Sequence, residues 1–229
     1  MKNAIFLSAS IPDPLRSPEY AATADSVAIV AAVTALIHVT LGRRPLVWGG
    51  HPAITPMIFV AAESLGVEYG DWVKLYQSNH FVDEFPEDNE KFNNVVYVPA
   101  KENLQQSLLH MREQMFARES YSAAVFIGGM EGIVDEFDLF SKYHPKAKII
   151  PIASSGGAAR KVAERLPREQ LNQDLALDLD YVALLHRHLD ISNKEKRYRN
   201  IKDQPRHLER RMWRKSDPRR DPEPGPGMG

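Results

Sequence analysis

The stretch AAVFIGGMEGIVDEFDLFSKY (residues 123–143) opens with a continuously apolar run, turns through a glycine pair and goes on with apolar residues at helical spacing. The run predicts a strand from Ala123 to Ile127 covered on both faces, and the pattern behind it predicts a helix over 131–143. Glycine lets a chain leave a buried strand sharply and brings backbone N–H groups near a ligand with no Cβ in the way. A helix that starts directly afterwards offers unpaired amides and the positive end of its dipole, which favour an anion such as phosphate. Gly128, Gly129, Met130, Glu131 and Gly132 are therefore candidate ligand-binding residues.

Outward from this stretch the same pattern recurs. Ala4 to Leu7, Pro45 to Trp48, Val73 to Tyr76, Val95 to Val98 and Lys148 to Ile152 read as further strands. Helical patterns lie at about 24–40, 55–66, 101–119, 155–166 and 178–189. Strand followed by helix, repeated in this way, predicts a Rossmann-like, doubly wound α/β domain with a mostly parallel sheet and helices on both faces. Ligands of such sheets sit at the carboxyl ends of the strands, where strand order reverses, so the turns there carry the functional reading. The second strand runs into Gly49-Gly50-His51-Pro52-Ala53-Ile54-Thr55-Pro56, a second glycine pair ahead of a helix. Thr55 before Pro56 reads as an N-cap with proline at the first helical position, and its hydroxyl is a candidate phosphate contact. His51 is placed to touch a base or sugar, or to be an exposed turn histidine. The first strand runs into Ser8-Ala9-Ser10-Ile11-Pro12, whose hydroxyls suit either a phosphate or ribose, or local turn bonding.

Composition narrows the class. Hydrophobic residues make up 43% and charged residues 26%, which excludes a disordered or membrane-embedded chain. With no cysteine there is no disulfide or thiolate–metal site, and His51 has no partner at metal-ligand spacing; no metal and no cofactor are expected. The apolar run at the N-terminus breaks at Pro12 and Pro14, short of a signal peptide or membrane span, so the expectation is cytoplasmic with no membrane partner.

Charge divides the chain. Residues 1–192 hold 17 Lys and Arg against 24 Asp and Glu, whereas residues 193–221 hold 12 against 5. This places a nucleotide-binding domain over 1–192 and a basic tail over 193–229. The tail's Asp-Pro-Glu-Pro-Gly-Pro-Gly ending and sparse apolar positions predict flexibility, since little surface is buried to offset the entropy of ordering. Tyr198 and Trp213 are its only aromatic residues, so a solvated tail is expected rather than a nucleic-acid-binding arm. Docking onto the acidic body of a neighbouring subunit is the other option.

Met111 and Arg112 precede a strand, and Gly128 follows sixteen residues after the arginine, in MREQMFARESYSAAVFIGGMEGIVDEF (residues 111–137). This spacing, with Val-Trp-Gly-Gly upstream, resembles the SLOG superfamily, the Rossmann-like group that includes the LOG phosphoribohydrolases and DprA-type proteins. The LOG pattern ends in Pro-Gly-Gly-x-Gly-Thr-x-x-Glu. Here Ile127 replaces the proline, one residue is inserted between Gly129 and Gly132, and Ile133 stands where the threonine would be. The resemblance implies catalytic roles for Arg112 and for Asp135 by strict count, or Glu136 if the insertion is allowed. Read without it, Arg112 suits bidentate pairing with a phosphate or carboxylate and Glu136 suits a carboxylate beside a sugar's anomeric carbon, or both are ordinary surface helix residues, and Glu131, Asp135, Glu136 and Asp138 suit the helix dipole.

The two glycine turns look closer to the SLOG domains that accompany sirtuin or TIR domains in antiphage defence. That likeness implies a homodimer or higher homo-oligomer that recognises a nucleotide or NAD-derived signal. The competing expectation is an N-glycoside hydrolase that releases a base from a nucleoside 5′-monophosphate. A dehydrogenase is set aside, because no Gly-x-Gly-x-x-Gly follows the first strand and no acidic residue ends the second.

Overall fold

A computed structural model describes residues 3–51, 53–85 and 94–213. In chain order the elements are β1 (Ala4–Ser10), α1 (Pro18–Ala21), α2 (Ser26–Thr40), β2 (Leu46–Trp48), α3 (Thr55–Ser64), α4 (Tyr69–Trp72) and β3 (Val73–Ser78). They continue with β4 (Val95–Val98), α5 (Leu104–Arg118), β5 (Tyr121–Gly128), α6 (Glu131–Tyr143), β6 (Lys148–Ile152), α7 (Ala158–Arg165), α8 (Asp174–Leu177) and α9 (Tyr181–His188). The strands form one sheet in the order β4-β3-β2-β1-β5-β6, and every pairing is parallel. This is the expected doubly wound α/β fold. The chain winds outward from β1 through β4, then crosses back to lay β5 on the other side of β1, so the order reverses between β1 and β5.

Alternation along β1 shows why both faces must be covered. Ile5 and Leu7 join a core with α2, α3 and α9, whereas Ala4 and Phe6 join a second core with α5, α6 and α7. In the second core the Phe6 ring meets Phe116 edge-on at 4.9 Å and stacks on Phe140 at 5.6 Å. Helix starts follow local chemistry: Asp25 accepts from the amides of Val27 and Ala28, and Asn103 accepts from that of Gln106.

Strand β1 outruns its expected end at Leu7, because Ser8, Ala9 and Ser10 continue in register with Phe126, Ile127 and Gly128 of β5. The two serines are thus strand residues at the switch point, not turn residues.

The basic stretch also differs from the flexible tail its composition predicts. Residues 194–213 lie against the C-terminal end of α2 and the loop before β2. Arg197 donates to the carbonyls of Leu41 and His38, the amide of Tyr198 to Gly42 O, and the Trp72 indole to Arg199 O at 3.0 Å. The last carbonyls of a helix have no intrahelical partner and carry partial negative charge, which is what guanidinium groups satisfy. Residues 214–229, including the Pro/Gly ending, lie outside the described residues. No helix among the described residues is long and apolar enough to cross a membrane.

Candidate functional site

A cavity of about 410 Å³ opens at the carboxyl ends of β1, β2 and β3 and is closed by α5 and the start of α6. Ser8 and Ser10 enter it from β1; Gly49, Gly50 and His51 from the turn after β2; Arg112 from α5; and Met130, Gly132 and Glu136 from α6 and the turn before it. The two glycine turns therefore share one cavity, although not by every residue expected.

At its centre a carboxylate is held between two donors. Ser8 Oγ donates to Glu136 Oε2 at 2.5 Å, and Arg112 Nε donates to Glu136 Oε1 at 3.2 Å. The same guanidinium donates through Nη1 to Asp135 Oδ2 at 3.2 Å and through Nη2 to the carbonyl of Gly132 at 3.1 Å. Arg112 is buried, so this three-way grip fixes α5 to the first two turns of α6 and sets where the Glu136 carboxylate points. Gly49 keeps that point open: a Cβ there would stand 3.3 Å from Met111 and 4.0 Å from Glu136 Oε1. Of the two acids that the sequence leaves open, Glu136 lines the cavity, whereas the Asp135 side chain is 58% exposed on the outer face of α6.

Several expected residues stand elsewhere. Gly128 and Gly129 are not among the lining residues. The Gly128 amide donates to Ser155 Oγ at 2.9 Å and the Gly129 carbonyl accepts from the Ala158 amide at 2.9 Å, so this turn is joined to the start of α7. Both have positive φ, and a Cβ on either would strike Ile29 or Ile133, so packing alone demands glycine there. Glu131 points away and accepts from the Tyr20 hydroxyl; burial and this carboxylate push the Tyr20 phenol up to about 12. Thr55 is the first residue of α3 rather than its cap, and its buried hydroxyl donates back to the His51 carbonyl at 3.0 Å. No side chain caps the start of α6, and Gly132 in its first turn does face the cavity.

Sequence reasoning missed Arg16, Trp48, Gln77, Ser78, Phe81 and Phe85, all of which line the cavity. One signal was legible: Gln77 and Ser78 are polar residues at the end of an apolar run, the position that the switch-point rule marks for ligand contact. Arg16 and Phe85 lie in irregular segments and Phe81 at a kink in the short 3-10 helix Asn79–Glu84, where periodicity says nothing of direction.

His51 Nδ1 accepts from the Ala53 amide at 3.2 Å, a bond that requires an unprotonated nitrogen. Burial, and secondarily the Arg16 charge, lower its pKa below the ordinary histidine value. The unfolded chain then binds a proton near pH 6.5 that the folded chain refuses. Stability falls as pH drops below that range and levels off below the folded pKa. His51 should titrate below 6.5 by NMR, and His51→Asn should remove part of the acid loss, the share of His38 remaining. A His51 midpoint at or above 6.5 contradicts this geometry.

Among curated proteins none matches the chain. A family model does match: that of the SLOG cluster3 family, over residues 19–189, from α1 through α9. With most of the sheet, both helix layers and the Arg112–Glu136 pair inside that span, the chain belongs to the SLOG cluster3 family.

Proposed function

We propose that the protein is a sensor that binds a nucleotide or NAD-derived small molecule in this cavity and releases it intact, as the defence-associated SLOG domains that it resembles are expected to do. Family membership points to a nucleotide-related role, and the finer reading rests on one observation. Both Glu136 oxygens already accept hydrogen bonds, from Arg112 and from Ser8, and all three Arg112 nitrogens already donate. An acid that is to act at an anomeric carbon needs an oxygen turned toward the sugar or toward an attacking water. Here the carboxylate instead serves as a fixed acceptor that orders Ser8 and Arg112. The walls around it are mostly apolar and aromatic with a few convergent polar groups, the usual makeup of a small-molecule site.

The hydrolase reading keeps one observation in its favour: among the described residues Glu136 is the one carboxylate that lines the cavity. The two readings separate in a single experiment, in which the protein is incubated with a panel of nucleoside 5′-monophosphates and NAD-derived nucleotides. Binding is followed by calorimetry and free base by chromatography. The sensor reading expects heat of binding with the ligand recovered whole, from wild type and from Glu136→Gln. Base release that Glu136→Gln abolishes would replace it with the hydrolase. A second copy of this chain is the proposed partner on which binding acts, with sedimentation in the presence and absence of ligand as the readout.

A further inference from the structure

Two polar side chains on the cavity wall have no hydrogen-bond partner among the described residues, and one of them, Trp48, has its polar atom buried. Gln77 is 8% exposed, and its carboxamide forms no hydrogen bond among the described residues. It is pressed against the turn after β2: a Cβ on Gly50 would stand 2.1 Å from Gln77 Nε2. The Trp48 indole Nε1 beside it in the wall is likewise buried with no partner. Folded proteins rarely leave a group like the Trp48 Nε1 unpaired, because it has given up water for nothing in return, and the Gln77 carboxamide beside it on the cavity wall has both its donor and its acceptor left over for a ligand. A carboxamide carries a donor and an acceptor side by side, the arrangement that matches the adjacent acceptor and donor on the edge of a nucleobase. Phe81 and Phe85 line the same cavity, and aromatic side chains are what a planar base stacks on.

Arg16 is the complementary case. It is exposed and lines the cavity, and it is the one charged side chain there without an ion pair among the described residues, since Arg112 and Glu136 answer each other. Its backbone is held in a turn by Asp13, which accepts from the amides of Leu15, Arg16 and Ser17. Arg16 lines the cavity together with His51, whose pKa burial lowers first and the Arg16 charge second. The uncompensated charge of the cavity is therefore positive, and a guanidinium fork matches phosphate oxygens two at a time.

We propose that the ligand is gripped at two ends, with the Gln77 carboxamide reading the edge of a base and the Arg16 guanidinium taking a phosphate. This rests on the nucleotide-binding reading above and deepens it. Arg112, the arginine whose sequence position suggests a phosphate contact, acts instead through Glu136, as a positioning residue.

The test is calorimetry of wild type, Arg16→Ala and Gln77→Leu against nucleosides and the corresponding 5′-monophosphates. Wild type should prefer the monophosphate by roughly tenfold or more. Arg16→Ala should bring the two ligands level while binding the nucleoside as wild type does. Gln77→Leu should weaken both ligands by roughly tenfold, and its melting temperature should equal or exceed that of wild type, because the change removes an unsatisfied polar group and no hydrogen bond. If Arg16→Ala keeps the phosphate preference, or Gln77→Leu binds like wild type or melts lower, the two-ended grip is overturned while the nucleotide reading stands. If wild type binds none of these ligands and no NAD-derived nucleotide either, both fall together.

Discussion

Arg112→Ala is expected to destabilise the domain by about 3 kcal/mol and to abolish ligand binding. The size follows from what the guanidinium leaves behind. Glu136, with a side chain only 16% exposed, keeps a charge with no counter-ion, and the Gly132 carbonyl loses its donor. Breaking a buried pair from one side is costly because the remaining charge stays desolvated. The bond to Asp135 adds little, since that carboxylate is mostly in water. Arg112→Lys should recover part of the stability but not the geometry, because an ammonium cannot serve three acceptors set in the plane of a guanidinium. Urea unfolding of wild type, Arg112→Ala, Glu136→Ala and the double variant closes a cycle, with an expected coupling of about 1–3 kcal/mol between the two residues. Additive losses would mean that the pair does not act as a unit, and the positioning role would go with it.

The sheet and its helices were legible because parallel strands buried on both faces read as unbroken apolar runs, and the helices between them show their buried sides periodically. Ser8 and the second glycine pair were legible because the switch-point rule names the strand ends where such residues matter, and Glu136 through its spacing from the glycines in the SLOG pattern. Periodicity failed for Arg112. A helical arginine reads equally as an anion partner and as a solvated surface residue, and periodicity does not choose between them; its burial depends on acceptors 20 to 24 positions further along the chain. The rule also overreached at Gly128 and Gly129, whose backbone groups are taken up by Ser155 and Ala158. Their pattern fits a phosphate turn and an interloop junction equally, because both need positive φ and no Cβ.

Glu195→Gln should produce the other large effect, at the opposite end of the strands from the cavity. The Glu195 side chain is fully buried, and Arg44 grips it through Nη1 at 2.6 Å and Nη2 at 3.0 Å, with Arg211 3.6 Å away. Its backbone is tied as well: its carbonyl accepts from Arg43 Nε at 2.8 Å, and it bridges to Met212. One acid thus neutralises the arginines that fasten residues 194–213 to the body. Their mutual repulsion is already visible in Arg197, whose pKa burial and the neighbouring Arg43 charge lower to about 10. Glutamine keeps the shape and removes the charge, leaving the cations partly buried against one another. The expected loss is about 3 kcal/mol, at the low end for a broken buried pair because Arg44 and Arg211 each keep 16% of their side-chain exposure. The segment has few apolar contacts of its own, so it should open before the sheet does. Trypsin should then cut after Arg197 and Arg199 in the variant while the rest of the chain stays folded, and Trp72 emission should shift to the red as its indole loses the Arg199 carbonyl. Equal resistance to trypsin in wild type and Glu195→Gln would show that the segment is fastened by something other than this acid.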